Sequence, residues 1–482
     1  MKKSILSILL SFLLGGTLAH GANVVINPGQ SIQAAINASS AGDVIYVNDG
    51  IYPENLTLDA KDVRIIGQGN ARPRVFNLTI RNYANFDKIT NLSATETTDH
   101  KLIIENVQNA NLGNLTVSKG DLVVTNSKLN LRNATLGRDL SVSQATISIR
   151  NSQIARNLDA NRSVVLLKDS NVTNDVNAHK SNLRLLRSQV TKNVNMHDSQ
   201  NHLGAATQCV VLQSTIGEKL TTKAAQSFVC YNTIRYGYFE GKVDITGNTF
   251  DGRDAPLVGI DLNGTSTTAH IRNNLIQWMG RDHDNGFTEK IIGIRIGGGS
   301  KAEITNNVIR GCRDARSAGT NVNCGMGIFV KVDTGTIIKG NVIYDCYDKT
   351  TNKTGGNRLV HAPASVNLSY NNLYKSGNVH ADLVSGGVTN VSAITGNPQF
   401  TNSNNLNFSL KSDSPCINKG PEDARYNDRD GSRNDIGMYG GHSFIPNGRT
   451  TNKPIVLSLD VAPIFVPVGG KVTIESTGAT VK

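Results

Sequence analysis

Large rings are scarce in this chain. Tryptophan occurs once, aromatic residues of all kinds make up 5%, and proline is found twelve times in 482 residues. Charged residues reach only 18%. Such a composition, with Gly, Asn, Thr and Ser plentiful, suits a sheet-rich repeat protein better than a helical enzyme. No C-x-x-C spacing occurs, which argues against a structural zinc site. No basic run interleaved with aromatics occurs, which argues against nucleic acid as a partner. Beyond the first two dozen residues no apolar run is long enough to span a bilayer.

The N-terminus is the exception to this polarity. Lys2 and Lys3 precede an apolar run, Ile5 to Leu14, and small residues follow to Ala22. The run is too short for a membrane span, and Ala19-His20-Gly21-Ala22 fits a cleavage site, so residues 1–22 are expected to be a signal peptide. The protein is then expected to be secreted or on the cell surface, without a transmembrane span, and monomeric. Its formal charge is +11, or +9 once the two lysines leave, and a basic surface favours acidic partners such as uronate-rich polysaccharide or cell-surface glycan. Six cysteines in an exported chain predict disulfides whose connectivity the sequence leaves open. Cys209 and Cys230 lie about one repeat apart. Cys312 and Cys346 occupy the same place in consecutive repeats, with Cys324 between them, and Cys416 is expected to stay unpaired.

The repeats set the fold. Leu136, Ile154, Val172 and Val190 are spaced by eighteen residues, and each is followed four positions later by Leu140, Leu158, Val176 and Val194. The pattern resumes at Ile216 with Leu220, and at Ile234. Alternating runs such as Thr146–Ile149 mark strands, and Asn, Ser, Gly and Asp mark the turns between them. A strand of four or so residues cannot bury its apolar side alone. Coils stacked at about 4.8 Å bury a continuous aliphatic column and satisfy one another's backbone. The expected fold is therefore all-β, a right-handed parallel β-helix. Past Phe250 the coils lengthen and the recurring unit becomes Asn-x-aliphatic: Asn232, Asn248, Asn274, Asn307, Asn341 and Asn372 are expected to stack as a structural ladder.

The segment Ser31–Ile36 has helical spacing and is expected to cap the open N-terminal end. The run Asn27-Pro-Gly-Gln-Ser-Ile-Gln-Ala-Ala-Ile36, with Gly42-Asp43 and Gly50-Ile-Tyr-Pro-Glu54, resembles the start of the pectate-lyase-like, right-handed β-helix superfamily. Gly396-Asn-Pro-Gln-Phe400, Ser414-Pro-Cys-Ile417 and Asp428-x-Asp430-Gly431 with Asp435-Ile-Gly437 are similar to how many secreted members end. The resemblance spans roughly residues 23–440 and implies the fold. It is weak for activity, because the superfamily includes lyases, hydrolases, epimerases and non-catalytic surface proteins. Cys416 departs from the small residue usual there, and a buried thiol is expected. Residues 441–453 read as a linker. Residues 454–482, with strands at Ile455–Leu459 and Lys471–Ile474, resemble the opening of an immunoglobulin-like sandwich. About thirty residues cannot complete one, so the chain reads as a piece of a longer protein, the alternative being that these strands dock on the helix as a cap.

Aligning the long coils brings Ile260, Ile294 and Ile328 inward, Asp261, Arg295 and Phe329 into one outward column, and Asn263, Gly297 and Lys331 into the next, with His361 on the following coil. The insertions Arg281–Gly286 and Arg313–Arg316 flank this face. A polysaccharide lyase must neutralise a uronate carboxylate and then remove the neighbouring α-proton, and superfamily lyases use Lys or Arg as the base. Arg295 is the candidate neutraliser and Lys331 the candidate base. Asp261, Asn263, Phe329 and His361 are candidate substrate-binding residues. The polygalacturonase-like carboxylate set and an epimerase-like Asp-Pro-His are missing, although Asp282 and Asp284 around His283 leave some room for a hydrolase. Asp428, Asp430 and Asp435 are spaced like the ligands of a calcium loop, without its distal Glu. Two functions follow: binding and β-elimination of acidic polysaccharide, or a non-catalytic adhesin or structural role.

Overall fold

A computed structural model describes residues 21–86, 89–90, 92–94, 100–200, 205–252, 258–281, 291–314, 325–348, 358–374, 383–462, 471 and 473–479. Residues 1–20 of the predicted signal peptide, Asp282, His283, Asp284, Cys324 and the turn at 466–470 lie outside them. The molecule is a right-handed parallel β-helix. A representative coil of the short region holds three strands: Thr146–Arg150, Gln153–Ile154 and Leu158–Asn161. We call the sides they form the first, second and third faces. The first face is a sheet of sixteen parallel strands among the described residues. The eighteen-residue period appears as register: Leu136, Ile154, Val172, Val190, Ile216 and Ile234 pair in succession on the second face. All six are buried, as are Leu140, Leu158, Val176 and Val194 on the third.

Coils must turn sharply between faces, and there the sequence has solved a backbone problem. A left-handed residue stands at each turn after the first face: Asn151, Asp169, Arg187, Gln213, Tyr231, Gly247, Asn273, Asn306, Gly340 and Tyr370 all have positive φ. The N–H of the next residue then points along the helix axis instead of into a strand ladder. The side chain one coil further on receives it. Ser152 donates to Ser170 Oγ at 3.0 Å, Ser170 to Ser188, Ser188 to Ser214, and Ser214 to Asn232 Oδ1 at 2.8 Å. Asparagine then continues the column: Asn232 to Asn248, Asn274, Asn307, Asn341 and Asn371 in turn. Each ladder amide also donates to a carbonyl of a neighbouring coil, as Asn307 Nδ2 does to Ile271 O at 2.8 Å. The ladder thus begins in serines that the sequence pattern showed only as turn residues. It ends on Asn371 and not Asn372: Val342 pairs with Asn372, so the expected register was one residue late.

The N-terminal end is closed by the helix Ile32–Ala38, capped by Ser31, with Ile32 and Ile36 buried. The Glu54 carboxylate accepts from the N–H groups of Ile32 and Gln33 at its N-terminus, where negative charge is favoured. After the short antiparallel pair Phe400–Asn402 and Asn407–Leu410, the chain turns back along the corner between the first and second faces. The left-handed residues hold it there. Asn306 and Asn434 exchange hydrogen bonds at 3.1 Å. Asn273 donates to the carbonyls of Met438 and Gly440, and Ile445 N–H donates to the Tyr231 hydroxyl. Gln213 donates to Gly448 and Thr451, and Arg187 to Asn452 Oδ1. The stretch read as a linker is therefore a strap anchored to the solenoid. The strands Ile455–Ala462 and Thr473–Ala479 form an antiparallel hairpin whose Ile455 and Ala479 pack on Leu186, Val210, Leu212 and Phe228 of the first face. The hairpin sits on the flank of the helix and not on its end.

The expected disulfides are not present among the described residues: Cys209, Cys230, Cys312, Cys346 and Cys416 are free and buried. Leu212 pairs with Cys230, and Cys209 lies three residues before Leu212. An odd separation puts the two thiols on opposite sides of the sheet, Cys209 in the interior and Cys230 beneath the hairpin. Cys312 and Cys346 do stack in the interior, as thiols, and burial pushes the Cys209 thiol up to about 12 and Cys416 to about 11. No helix among the described residues is long and apolar enough to cross a membrane.

Substituting Asn307 tests the ladder. Asn307→Ala leaves the Asn274 N–H and the Ile271 carbonyl without partners, and should cost about 2–5 kcal/mol, read from the denaturation midpoint. Asn307→Asp should cost at least as much, because a carboxylate has no N–H to give Ile271 O or Asn341 Oδ1. The half-buried, outward-facing Asn130, stacked on Asn111, is the control, and its alanine variant should lose no more than about 0.5 kcal/mol.

Candidate functional site

Strand alternation sends every second side chain of the third face outward, and parallel register turns those positions into columns. One column runs through Ser141, Asp159, Asn177, Asn195, Thr221, Tyr238, Asp261, Arg295, Phe329, His361 and Ser385. At about 4.8 Å per coil it extends roughly 50 Å. The predicted alignment of Asp261, Arg295 and Phe329 is present, and His361 continues it. Ile260, Ile294 and Ile328 are fully buried on the inner side.

Asp261 is 8% exposed. Arg295 grips it through two parallel hydrogen bonds, one from Nε at 2.8 Å and one from Nη2. This fork geometry fixes the guanidinium plane and cancels most of its charge at the strand surface. Phe329 and His361 stack with ring centroids 5.1 Å apart and planes 13° from parallel. His361 Nδ1 lies 2.8 Å from Ser385 Oγ. Lys331 sits two residues beyond Phe329, just past the strand Met326–Val330, on the same side and exposed. Its ammonium makes no hydrogen bond or ion pair with a described residue. Asn263 turns into its own loop, accepting from Gly264 N–H at 2.9 Å.

Sequence reasoning missed the neighbours of this group. Tyr238 stands one coil before Asp261 and donates to Glu240. Lys219 and Lys223 lie 5.4 and 5.5 Å from its ring centre. Burial, with Glu240 and Asp261 nearby, pushes its hydroxyl up to about 12. Further along, the third face has a groove of about 400 Å³ lined by Ser141, Asp159, Asn177, His179 and His197. The Tyr236-Gly-Tyr238 stretch, unusual in a ring-poor chain, was the available signal.

The three aspartates proposed for calcium do not converge. Asp428 accepts from the backbone N–H groups of Asp435 and Gly441. Exposed Asp430 is closed onto Ser432, and Asp435 accepts from Asn418 N–H at 2.7 Å. Among the described residues no three His, Cys, Asp or Glu side chains are grouped to hold a metal ion. Each carboxylate serves the turn of its own strap, so the donor set does not fit a calcium ion.

No protein-family model matches this chain, and no curated protein does. Among solved structures it is similar to a mannuronic acid specific polysaccharide family 6 lyase from human gut microbiota. The identity is 10%, the alignment covers 76% of this chain and 82% of that chain, and the TM-score is 0.20. What this chain does must therefore be argued from its own residues.

Two outcomes are expected of this geometry. Arg295→Gln should lower stability by about 1–2 kcal/mol by stranding the Asp261 carboxylate, the cost being reduced by the partial exposure of Arg295. Adding Asp261→Asn should restore most of it, and thermal melts of the double-mutant cycle read the coupling. Asp428 is held up at about 6, against an ordinary value of 3.8, by burial and then by Asp435 and Asp430. A raised carboxylate contributes stability below its unfolded value and loses it as pH rises through the folded one. The melting temperature should therefore fall from about pH 4 to about pH 6, and Asp428→Asn should remove that component.

Proposed function

We propose that this is a secreted or cell-surface β-helix that binds acidic polysaccharide along its third face and cleaves it by β-elimination between Arg295 and Lys331. The observation that carries the reading is the outward column itself. It places a tyrosine flanked by two lysines, a fixed guanidinium, a stacked Phe–His pair and an exposed lysine on consecutive coils, at a repeat that suits an extended polymer. Ring faces and edges accept the apolar side of a sugar, while the cations take uronate charge. In the chemical step, the Lys331 side-chain nitrogen removes the α-proton beside the uronate carboxylate. The electrons of that C–H bond form a carbon–carbon double bond as the bond to the glycosidic oxygen breaks. The leaving oxygen takes a proton from water. Arg295, oriented by Asp261, is the cation that meets the carboxylate.

A second reading is favoured by one observation. Asp261 already neutralises Arg295, which weakens it as an electrostatic catalyst and leaves a face suited to holding glycan without cutting it. The test mixes the protein with a panel of uronans and follows the ultraviolet absorbance of the new conjugated double bond. A lyase gives rising absorbance that Lys331→Ala lowers by roughly a hundredfold or more. Cleavage unchanged in that variant removes Lys331 from the mechanism. No absorbance across the panel, with binding retained and weakened by Arg295→Gln, assigns the face to adhesion. No binding at all overturns both readings.

A further inference from the structure

Where the strap crosses the first face it leaves a polar cleft of about 510 Å³, well away from the column of the third face. The floor comes from the outward side of three strands, Thr268–Arg272, Lys301–Thr305 and Ile337–Lys339. Arg272, Thr305 and Lys339 are in register and form one column. The roof is Arg425, Tyr426 and His442, all on the strap. Because Asn273 and Asn306 pin the strap through buried hydrogen bonds, floor and roof are held in fixed relation.

The charges within the cleft are unevenly matched. Arg425 is clamped on Asp423, at 2.9 Å from Nε and 2.6 Å from Nη2. Burial and then the nearby Glu303 carboxylate push the Tyr426 hydroxyl up to about 12. His270, itself 2.9 Å from Asp244, stands 3.9 Å from the Glu303 carboxylate on the other side. Arg272 and Lys339 are different. Both are half-buried, and neither makes a hydrogen bond or ion pair with a described residue. Lys339 Nζ lies 5.2 Å from the centre of the Tyr426 ring. The two cations stand two coils apart, about 9.6 Å along the axis. Burial and then Arg272 push the His442 imidazole down, against the opposing pull of Glu303. Half-buried cations that hold no ion pair are costly, and a ligand anion would offset that cost. Thr305, Asn367 and Ser443, on the same walls, offer neutral groups suited to hydroxyls. The volume is that of a small-molecule site.

We propose that this cleft binds a small polyhydroxylated carboxylate, the size of one or two acidic sugar units, with Arg272 and Lys339 taking the carboxylate charge and Thr305, Asn367 and Ser443 its hydroxyls. The site is separate from the third face and does not depend on that face being catalytic. Calorimetric titration of the full chain with glucuronate, glucose and inorganic phosphate tests it. Glucuronate should bind, glucose should bind at least roughly tenfold more weakly, and Arg272→Gln with Lys339→Gln should weaken glucuronate roughly tenfold or more. Lys128→Ala, exposed on a short coil and outside both candidate sites, should leave glucuronate affinity unchanged. Hydrogen exchange on the unaltered protein reads the location without any variant: glucuronate should slow exchange at residues 303–306 and 425–443. Affinity that survives the double substitution, protection confined to the third face, or phosphate binding more tightly than glucuronate would each overturn the proposal.

Discussion

A backbone N–H at a sharp corner has nowhere to go within its own coil. Everything else in this molecule depends on how that group is satisfied. The left-handed residue before it tilts the peptide along the axis, and a serine hydroxyl or asparagine amide of the next coil accepts it. An unpaired buried N–H would cost about 1–3 kcal/mol at every coil, so the column cannot be interrupted cheaply. Coil length, by contrast, is free: successive ladder residues are separated by 18, 26, 16, 33, 34 or 30 positions without loss of the bond. Insertions therefore accumulate between corners while the register of the strands persists.

That freedom explains the distribution of chemistry. In the short coils the outward positions of the third face are small and polar: Ser141, Asp159, Asn177 and Asn195. Once the ladder changes from serine to asparagine the same column holds Tyr238, Asp261, Arg295, Phe329 and His361. From Asp261 onward the wider coils give space for rings and a paired charge, while Tyr238 stands on the sixteen-residue coil just before them.

The fold was legible because period and register are properties of the chain alone. Ile260, Ile294 and Ile328 align by spacing, and their neighbours had to align with them. The slip at Asn372 arose because Asn371 and Asn372 are both asparagine and the pattern Asn-x-aliphatic does not tell which one faces the ladder. The disulfides failed for a reason of parity: proximity in sequence by about one repeat says nothing of whether two cysteines share a side of the sheet. The calcium loop failed because aspartate spacing in a turn serves its own amides equally well. The strap was hidden in tertiary contacts, though a trace of it existed. Cys209-Val-Val-Leu212 and Ser227-Phe-Val-Cys230 lack alternation, and a strand apolar on both sides must be covered on both. The cleft beneath the strap was invisible for the same reason, since its walls come from between residues 272 and 367 and from 425–443, joined only by the return of the chain.

Stacked coils are ordinarily treated as a row of units, each aware only of its neighbours. The returning segment breaks that description here. Within Gly437–Asn452 it touches the corners of Gly340, Asn306, Asn273, Tyr231, Gln213 and Arg187 in descending order, tying together positions as far as 265 residues apart. On the ribosome these coils are made long before the residues that clamp them, and they must wait as an unfastened stack until the strap itself has been made. In the finished molecule the middle coils cannot fray one at a time, because each would have to let go of the same cord.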